Sequence, residues 1–378
     1  MNNRVPFNKP FITGREFTYI EQAIANGHLS GNGPYTKECQ QWFETRLGAA
    51  RVLLTHSCTA GLEMAALLCG VGPGDEIIMP SFTFVSTANA FTLRGATPVF
   101  VDVREDTLNL DERLVEAAVT ARTRAIVPVH YAGVGCEMDA IMGIARTHKL
   151  RVIEDAAQGV MSTYGGRPLG SIGDAAALSF HETKNVTSGE GGALVVNDPE
   201  WTDRAEILWE KGTNRTLFAL GKIDKYSWID LGSSYLPSEI NAAFLWAQLE
   251  QVEAITDKRL AIWRRYHDGL APLEASGLLR RPIVPAHCLH NAHMYYVLAP
   301  DSARRHRLAS RLNARGINAV AHYVPLHLAP AGLRFGRASG ELPITVSIAE
   351  RLVRLPLWAG MTDDDVASVI AAVSEEIA

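Results

Sequence analysis

An aspartate and a lysine near the middle of the 378-residue chain have residue types and surroundings that suit covalent chemistry. Asp155 directly follows the apolar run RVIE (151–154), and Lys184 comes shortly after a second apolar run, AALSF (176–180). Open α/β sheets bind their ligands at the carboxyl ends of the strands. A lysine that is partly withdrawn from water has a lowered pKa and becomes a usable amine nucleophile.

A nucleophilic lysine opposed by a carboxylate is the arrangement that pyridoxal phosphate requires. The amine of Lys184 would hold the aldehyde carbon, and Asp155 would keep the ring nitrogen protonated so that the ring can accept electrons. A surface lysine in a loop and an aspartate that caps a helix would explain the same spacing equally well. The spacing alone therefore leaves both interpretations open.

A short polar turn elsewhere in the chain has the features of an anion site. Ser57, Cys58 and Thr59 stand between the apolar run RVLLT (51–55) and a helix-forming stretch. The first N–H groups of a helix are free and the helix dipole favours negative charge there, so a cofactor phosphate fits. Ordinary capping by Ser57 or Thr59 is the alternative, and capping and phosphate binding can coexist.

Two further residue types suit the ring of such a cofactor. Phe82 and Phe84 follow the run EIIM (76–79), and one of them could cover a ring face, although buried aromatic residues more often belong to the core. Gln158 stands three residues beyond Asp155 and could hydrogen-bond a ring hydroxyl. We expect all these residues on loops at one edge of the sheet.

The elements that must position these residues alternate between short apolar runs and helical stretches from about residue 50 to 200. Continuous apolar runs are typical of strands buried on both faces of a mostly parallel sheet. The strands are expected at 51–55, 76–79, 97–101, 125–129, 151–154 and 176–180, and the helices between them at 59–68, 84–93 and 138–149. The alternation predicts an α/β fold in which helices sandwich the sheet.

The regions that flank this pattern predict a second domain. Two helices are expected near 14–26 and 35–47, and the helical run 237–270 exceeds ~25 residues, so it is expected to connect two domains. An extended stretch at 293–300 and helices near 302–314, 345–353 and 363–376 follow it. We predict a large domain with its N-terminal segment over 1–250, and a connector helix with a smaller α+β domain over 251–378.

Charge and cysteine content argue against several classes of protein. The 36 Lys and Arg residues against 41 Asp and Glu give a net charge of −5, whereas binding to nucleic acid needs a basic surface. The five cysteines are scattered without a CxxC pair, which predicts reduced thiols. The sequence contains neither a signal peptide nor a run of ~18 apolar residues. We expect a cytoplasmic protein without nucleic-acid or membrane partners.

Three histidines raise the question of a metal site. His287, His290 and His293 form an HxxHxxH pattern that would spread its ligands around a helix, but the residues that follow resemble a strand. We interpret the pattern as a polar loop that enters a strand, and we predict no metal ligand.

Longer runs of the sequence resemble a known family. EDAAQ, SFHETKN, SGEGGA and PSFTFVSTANA are similar to sugar-nucleotide aminotransferases of the DegT/DnrJ/StrS type, and the similarity extends from FNKPFITGREF to RLVRLPLW. The resemblance implies the aspartate-aminotransferase-like fold of pyridoxal-phosphate enzymes and a homodimer with shared active sites. It also implies that Lys184 binds the cofactor aldehyde and that Asp155 is the partner of the ring nitrogen.

The resemblance implies roles for other residues near the cofactor. Gln158 matches the position next to the ring hydroxyl, and Phe84 matches the aromatic residue that stacks on the ring. The positions expected to bind the phosphate are Cys58, Thr59 and Ser179.

Further matches concern the second subunit and the substrate. Ser234 stands where the family commonly has an asparagine that reaches the phosphate from the other subunit. Lys211, Asn214 and Arg215 are expected at the nucleotide diphosphate, where they would form a local basic patch. His327 belongs to the run HYVPLHL, which resembles a C-terminal family motif, and is expected at the substrate.

The runs SCTAGLEMAALL, VHYAGVGCEMD, EKGTNR and DLGSSYLPSE are most similar to the family members that form dTDP-4-amino-4,6-dideoxygalactose. The resemblance therefore implies amino transfer from L-glutamate to C4 of a dTDP-4-keto-6-deoxyhexose. The gluco epimer stays open as a product, since loop contacts decide how the sugar lies. Relatives with His at the position of Lys184 remove a hydroxyl group instead, and a non-catalytic regulator with this fold would be expected to lack Lys184 or Asp155.

Overall fold

A central eight-stranded sheet organises the structure, a computed structural model in which residues 5–377 are described. The strands are β1 (Arg51–Thr55), β2 (Glu76–Pro80), β3 (Thr97–Val101), β4 (Thr123–Ile126), β5 (Arg151–Asp155), β6 (Thr163–Tyr164), β7 (Arg167–Pro168), β8 (Ala175–Ser179), β9 (Gly192–Val196), β10 (Cys288–Leu289), β11 (Tyr295–Leu298), β12 (Arg337–Ala338) and β13 (Leu352–Leu355). The central sheet has the order β1-β9-β8-β5-β4-β2-β3-β12. Among the described residues, β9 is the only strand of this sheet that runs opposite to the others. The prediction of a mostly parallel sheet is therefore confirmed.

Helices cover both faces of this sheet. They are α1 (Glu16–Ala25), α2 (Pro34–Leu47), α3 (Cys58–Leu68), α4 (Val85–Thr92), α5 (Glu112–Ala118), α6 (Met138–His148), α7 (Thr202–Trp209), α8 (Arg215–Ala219), α9 (Glu239–Leu249), α10 (Val252–Gly269), α11 (Ala271–Ala275), α12 (Ser302–Ala314), α13 (Pro330–Phe335), α14 (Pro343–Arg351) and α15 (Asp363–Glu376). Side chains alternate between the faces of a strand. Accordingly, Ala177 of β8 packs in a core with α3, α4 and α7, whereas Ala176 and Leu178 pack in a core with α1, α2 and α9.

The antiparallel strand β9 is absent from the sequence-based predictions. The glycines of SGEGG come directly before it, and glycine clusters of this kind indicate a loop. Gly192 opens the strand because the space allows no side chain: a Cβ at this position would lie 2.4 Å from the backbone nitrogen of Cys58. The start of β9 therefore passes directly beside the first turn of α3.

The prediction of one long connector helix over 237–270 is wrong, because the run forms two helices. Helix α9 ends at Leu249 and α10 begins at Val252, and Gln251 between them has a non-helical backbone (φ −118°, ψ 15°). The carboxylate of Glu250 accepts hydrogen bonds from Arg15 (3.0 Å) and Tyr19 (2.7 Å) of the N-terminal region. The chain bends here because α9 packs with α1 and α2, whereas α10 leaves that core after Ile255 and packs from Ile262 onwards in a second core near the C-terminus.

This second core belongs to the C-terminal part of the chain. Strands β11 and β13 pair antiparallel, and α10, α12 and α15 supply most of the helical residues packed with them. The helix predicted near 345–353 ends at Arg351 and is followed by β13. Contacts cross the division predicted at residue 250, among them the bridge between Val5 and Ile317 and the pairing of β12 with β3 of the central sheet. The division itself stays a prediction.

None of the helices found between residues 5 and 377 combines the length and the apolar character that a membrane span requires.

A buried glutamate joins the C-terminal part to the central sheet. Glu76, the first residue of β2, is 1% exposed. Its carboxylate accepts hydrogen bonds from Arg337 (Nε at 3.1 Å and Nη2 at 2.9 Å), from Thr120 (2.7 Å) and from Arg122 (2.5 Å). The hydrogen bonds from Arg337 are the largest cause of its low pKa of about 2, against an ordinary value of 4.5.

We predict that Glu76→Gln lowers the free energy of unfolding at pH 7 by roughly 2 kcal/mol, since hydrogen bonds to a charged group are lost. The folded-state pKa is depressed, so the carboxylate stabilises the fold above the ordinary pKa and loses this contribution as the pH falls from 4.5 towards about 2. The difference between wild type and variant in urea denaturation should therefore shrink as the pH is lowered below about 5. Glu253→Gln removes an exposed ion pair with Arg46 and serves as the control, with an expected effect below about 1 kcal/mol. A pH-independent difference for Glu76→Gln would contradict the prediction.

Candidate active site

A cavity of about 520 Å³ lies at the carboxyl edge of the central sheet, where the C-terminal part of the chain covers it. Its volume is within the range of roughly 300–1,000 Å³ that is usual for small-molecule sites. Of the residues predicted to contact a cofactor, those that line this cavity are Ser57, Cys58, Thr59, Phe84, Asp155, Gln158, Ser179 and Lys184. The structure thus brings together segments that are more than a hundred residues apart in sequence.

Asp155 is the last residue of β5 and is 5% exposed. Its Oδ2 accepts a hydrogen bond from the hydroxyl of Thr87 at 2.7 Å, and its Oδ1 accepts one from the backbone N–H of Ala157 at 3.2 Å. The Thr87 hydroxyl lies 2.8 Å from that of Thr83. Thr87, which the sequence analysis missed, therefore orients the carboxylate on which the ring-nitrogen hypothesis depends.

Lys184 lies in the loop between β8 and β9. The loop is held by backbone hydrogen bonds, among them Lys184 N–H to His181 O at 2.9 Å and Ser188 N–H to Phe180 O at 2.9 Å. Burial lowers the pKa of Lys184, while the nearby Cys58 and Asp155 act in the opposite direction. A larger fraction of its amine is therefore neutral at a given pH than for an exposed lysine.

The N-terminus of α3 forms one wall of the cavity. The Ser57 hydroxyl caps the helix by accepting a hydrogen bond from Ala60 N–H at 3.1 Å, and the Thr59 hydroxyl lies 2.7 Å from that of Ser86. Burial raises the pKa of the Cys58 thiol well above its ordinary value, so the thiol stays neutral and does not repel an anion. Capping and an anion site therefore coexist here.

The structure distinguishes between the two phenylalanines. Phe82 is 1% exposed and packs against Tyr131 and Tyr323 in the core, whereas Phe84 is 58% exposed and faces the cavity. Phe84 is therefore the ring that is free to cover a flat ligand. The Oε1 of Gln158 accepts a hydrogen bond from Ala132 N–H at 2.7 Å, which leaves the side-chain NH₂ as the group that can donate to a ligand oxygen.

Several cavity residues from the C-terminal part escaped the sequence analysis. They are His293, His322, Tyr323 and Arg354. The run HYVPLHL contains the signal: the resemblance points to His327, whereas His322 and Tyr323 are the residues of this run that line the cavity. His327 instead places its Nδ1 2.7 Å from the Ser81 hydroxyl, outside the cavity wall. Burial lowers the pKa of both His293 and His322.

The three histidines of the HxxHxxH pattern lie in three different environments. His293 contacts the Oδ1 of Asn185 at 3.0 Å, His287 pairs with Glu137 at 3.1 Å, and His290 lies against the ring of Trp263. Over residues 5–377 no group of three or more His, Cys, Asp or Glu side chains is arranged to hold a metal ion. These histidines therefore do not form a common ligand set.

The remaining predicted residues do not line the cavity of their own chain. Lys211 lies 3.6 Å from a Glu210 carboxylate oxygen, and Asn214 accepts a hydrogen bond from Ser227 N–H at 2.8 Å. Arg215 and Ser234 are exposed. Large apolar side chains are exposed in the same segment, namely Leu217, Phe218, Leu220, Tyr226, Trp228, Ile229 and Leu231.

The cavity residues fit pyridoxal phosphate. A partly buried amine and a buried, oriented carboxylate face the same space, an exposed aromatic ring stands beside them, and a helix N-terminus with a neutral thiol offers an anion site. These groups match the aldehyde, the ring nitrogen, the ring face and the phosphate of that cofactor.

Comparison with known proteins agrees with this chemistry. The model of the DegT/DnrJ/EryC1/StrS aminotransferase family matches residues 10–374. The spore coat polysaccharide biosynthesis protein SpsC of Bacillus subtilis (strain 168) is 36% identical to this chain over an aligned length of 389 positions. The alignment covers 99% of this chain and 97% of that protein. Similarity therefore extends over nearly the whole chain.

Solved structures show the same architecture. The aminotransferase TlmJ from Streptoalloteichus hindustanus is 33% identical and superimposes with a TM-score of 0.90, covering 99% of this chain and 98% of TlmJ. DesV from S. venezuelae, solved in complex with a ketimine intermediate, is also 33% identical, with a TM-score of 0.89 and the same coverage.

We predict that Lys184 is the residue that bonds covalently to pyridoxal phosphate. Borohydride reduction of the protein incubated with the cofactor should leave the phosphopyridoxyl group on the peptide that contains Lys184, because the neutral amine adds to the aldehyde. Lys184→Ala should lose this label and all turnover while its circular dichroism stays that of the wild type. The exposed lysine variant Lys37→Ala is the control and should be labelled as the wild type is. Labelling of Lys184→Ala at the wild-type level would contradict the assignment.

Proposed function

The chain belongs to the DegT/DnrJ/EryC1/StrS aminotransferase family, and from this premise we propose that it transfers an amino group from L-glutamate to C4 of a dTDP-4-keto-6-deoxyhexose. Family membership makes it a sugar aminotransferase that depends on pyridoxal phosphate. The observation that carries the proposal is that Lys184 and Asp155 face one cavity together with the polar start of α3.

The residues around the ring have separate tasks. Pyridoxal phosphate, when bound, supplies an aldehyde carbon and an electron-accepting ring. Asp155, oriented by Thr87, holds the proton on the ring nitrogen, because an opposite charge favours the charged form of a base. Gln158 donates its side-chain N–H to the ring hydroxyl, and Phe84 covers one face of the ring. Ser57, with Cys58, Thr59 and Ser179, binds the phosphate.

Lys184 moves protons in both half-reactions. In the first half-reaction its Nζ takes the proton, as general base, from the donor carbon that carries the transferred nitrogen. In the second it delivers a proton, as general acid, to the sugar carbon that receives the nitrogen. Burial supports this role because it lowers the pKa of Lys184, so the neutral amine that acts as a base is more accessible than in an exposed lysine. The low dielectric of the cavity strengthens each of these interactions.

The sugar nucleotide is proposed to extend out of the cavity. Lys211, Asn214 and Arg215 bind its diphosphate, and His327, which lies outside the cavity wall, contacts a part of the substrate that extends beyond the cavity. The name of the B. subtilis relative, a spore coat polysaccharide biosynthesis protein, supports a sugar substrate. The choice of the dTDP-4-amino-4,6-dideoxygalactose product follows from the sequence similarity of the runs around Cys58 and Ser234.

We further propose a homodimer in which Ser234 of each chain reaches the cavity of the other. Ser234 is exposed and lies outside its own cavity, and the same segment exposes Trp228 to 79% and Ile229 to 51%. Exposed apolar patches of this kind mark protein interfaces. A two-fold axis would apply the same contact to both cavities.

Shared sites predict complementation between two damaged chains. Mixing Lys184→Ala with Ser234→Trp chains should create heterodimers with one intact site and restore on the order of a quarter of wild-type activity after statistical exchange. The control mixture of Lys184→Ala with Asp155→Asn should restore nothing, because each of the two cavities then carries one lesion. Absence of rescue in the first mixture, despite subunit exchange shown by mass spectrometry, would contradict shared sites.

The product can be identified directly. Wild-type holoenzyme with dTDP-4-keto-6-deoxyglucose and L-glutamate should form a 4-amino sugar with a small H3–H4 proton coupling in NMR, since the galacto epimer carries an axial amine. Lys184→Ala should form none. A large coupling would assign the gluco epimer and overturn the proposed product, whereas the absence of any amino sugar would overturn the proposed substrate.

A further inference from the structure

A buried histidine lines the cavity together with Lys184. His293 stands two residues before β11 and is 9% exposed. Its backbone N–H donates to the Oδ1 of Asn291 at 2.9 Å, and its carbonyl oxygen accepts a hydrogen bond from Nη2 of Arg259 at 2.7 Å. The backbone of His293 is therefore held at both of its polar groups.

The contact with Asn185 fixes which ring nitrogen of His293 carries the proton. The side-chain NH₂ of Asn185 donates to the carbonyl oxygen of Asn291 at 2.8 Å, so its Oδ1 is the atom that faces His293 Nδ1 at 3.0 Å. An amide oxygen only accepts hydrogen bonds, and Nδ1 must therefore be the N–H donor. Burial keeps the pKa of His293 well below its ordinary value, so the ring is neutral. In a neutral imidazole with a proton on Nδ1, Nε2 is an acceptor.

This acceptor and the amine of Lys184 are close neighbours. Burial is the main cause of the low pKa of His293, and among the charges that lower it further Lys184 has a larger effect than Arg259, although Arg259 bonds to the carbonyl oxygen of His293. Burial also lowers the pKa of His322, but there the charge of Arg354 acts more strongly than that of Lys184. His293 is therefore the cavity histidine that is better placed to contact the amine.

Both atoms are free to form a hydrogen bond. Among residues 5–377, neither Nε2 of His293 nor Nζ of Lys184 has a hydrogen-bond partner, and Nζ forms no ion pair there. Because Nδ1 and the backbone of His293 are engaged with other groups, Nε2 is the remaining polar atom that this side chain can offer to the cavity.

The other polar groups of the cavity have tasks of their own. Asp155 accepts from Thr87 and is assigned to the ring nitrogen, and the Oε1 of Gln158 accepts from Ala132 N–H. Glu190 is exposed at the cavity wall. The side chains assigned to the cofactor phosphate are those of Ser57, Cys58, Thr59 and Ser179. The acceptor that is left for the amine of Lys184 is His293 Nε2.

We propose that Nε2 of His293 accepts a hydrogen bond from the amine of Lys184 whenever this amine is not bonded to the cofactor, an inference that rests on the proposed aminotransferase reaction. In both half-reactions the released amine must face a substrate carbon while it takes or delivers a proton. The long side chain of lysine is flexible, and a fixed acceptor restricts the positions of its amine. His293 is thus a positioning residue that acts through Lys184 and transfers no proton itself.

Two substitutions separate the two ring nitrogens of His293. An asparagine reaches only the position of Nδ1 and can still donate to Asn185, whereas a glutamine reaches the position of Nε2 and can still offer an acceptor oxygen. His293→Asn should lose about 10- to 100-fold in kcat, the loss expected for a hydrogen bond to a charged group, and His293→Gln should recover part of it. If the ring served only to hold Asn185, His293→Gln would be the more damaged variant, and that order would overturn the proposal.

The matched control is another histidine of the same HxxHxxH pattern. His287 lies outside the cavity, where it pairs with Glu137 at the surface. His287→Asn should therefore change kcat by less than about twofold. Circular dichroism of all three variants should stay that of the wild type.

The two half-reactions separate this role from contact with the sugar. L-Glutamate converts the aldehyde form of the holoenzyme, which holds pyridoxal phosphate, to the amine form, which holds pyridoxamine phosphate, without any sugar nucleotide. Single-turnover absorbance measurements should show that His293→Asn slows this step and the step with the keto sugar by similar factors, because Lys184 acts in both. A loss confined to the step with the keto sugar would assign Nε2 to a sugar hydroxyl and overturn the proposal.

NMR of protein with ¹⁵N-labelled histidine detects the contact without turnover. An unprotonated ring nitrogen resonates far downfield of a protonated one and moves upfield when it accepts a hydrogen bond. In the amine form, where Lys184 is released, the Nε2 signal of His293 should be that of an unprotonated nitrogen with a hydrogen bond, and it is assigned by its loss in His293→Asn. In Lys184→Ala loaded with pyridoxamine phosphate, the signal should move downfield. A protonated Nε2, or the same signal in both proteins, would overturn the proposal.

These outcomes are independent of the proposed substrates. A wild-type holoenzyme that reacts with glutamate but with no keto sugar would overturn the proposed sugar, and the glutamate half-reaction would still test His293. A holoenzyme that does not react with glutamate would overturn the proposed donor. The NMR signal of Nε2 would then still decide whether His293 contacts Lys184.

Discussion

The hydrogen bond between Thr87 and Asp155 joins α4 to the end of β5, two elements around which the other cavity segments are arranged. Asp155 ends a strand that is buried in the sheet, and Thr87 lies in α4, so the bond fixes a helix against a strand end and orients a carboxylate at the same time. Parallel strands place their carboxyl ends at one edge. The starts of α3 and α4, the loop with Lys184 and the end of β5 consequently meet there, although they are distant in sequence.

Closure of the cavity depends on how firmly the C-terminal part is attached. Glu76 binds Arg337 of β12, the strand that joins the central sheet, and Arg354 of β13 lines the cavity. The two parts are therefore coupled mechanically through ion pairs and strand pairing, in addition to apolar packing. A site between two such parts can exclude water while its walls remain on separate cores.

Much of this arrangement could be predicted from local sequence. Buried strands, the cap at Ser57 and the glycine-rich loop after Lys184 have signals within a few residues, and the elements that the structure places around the cavity largely agree with them. The chain reversal at β9 and the break at Gln251 could not be predicted, because both depend on which distant element a segment packs against. The same limit explains why local sequence alone could not separate Phe84 from Phe82, which only the family resemblance did, and why the resemblance pointed to His327 although His322 lines the cavity.

The hydroxyls of Thr83 and Thr87 form a chain of hydrogen bonds that ends at Asp155, and the direction of donation along this chain can be reversed. With a carboxylate at position 155, the single proton of Thr87 must point towards Oδ2, so Thr83 must be the donor to Thr87. A carboxamide of the same shape could keep its oxygen on Ala157 N–H and turn its NH₂ towards Thr87, which would then donate to Thr83. Every hydrogen bond would survive with both protons displaced. Replacement of the Asp155 carboxylate by a carboxamide therefore keeps the shape of the side chain and its hydrogen bonds and removes only its negative charge. The exchange separates the electrostatic effect of this side chain from its structural effect.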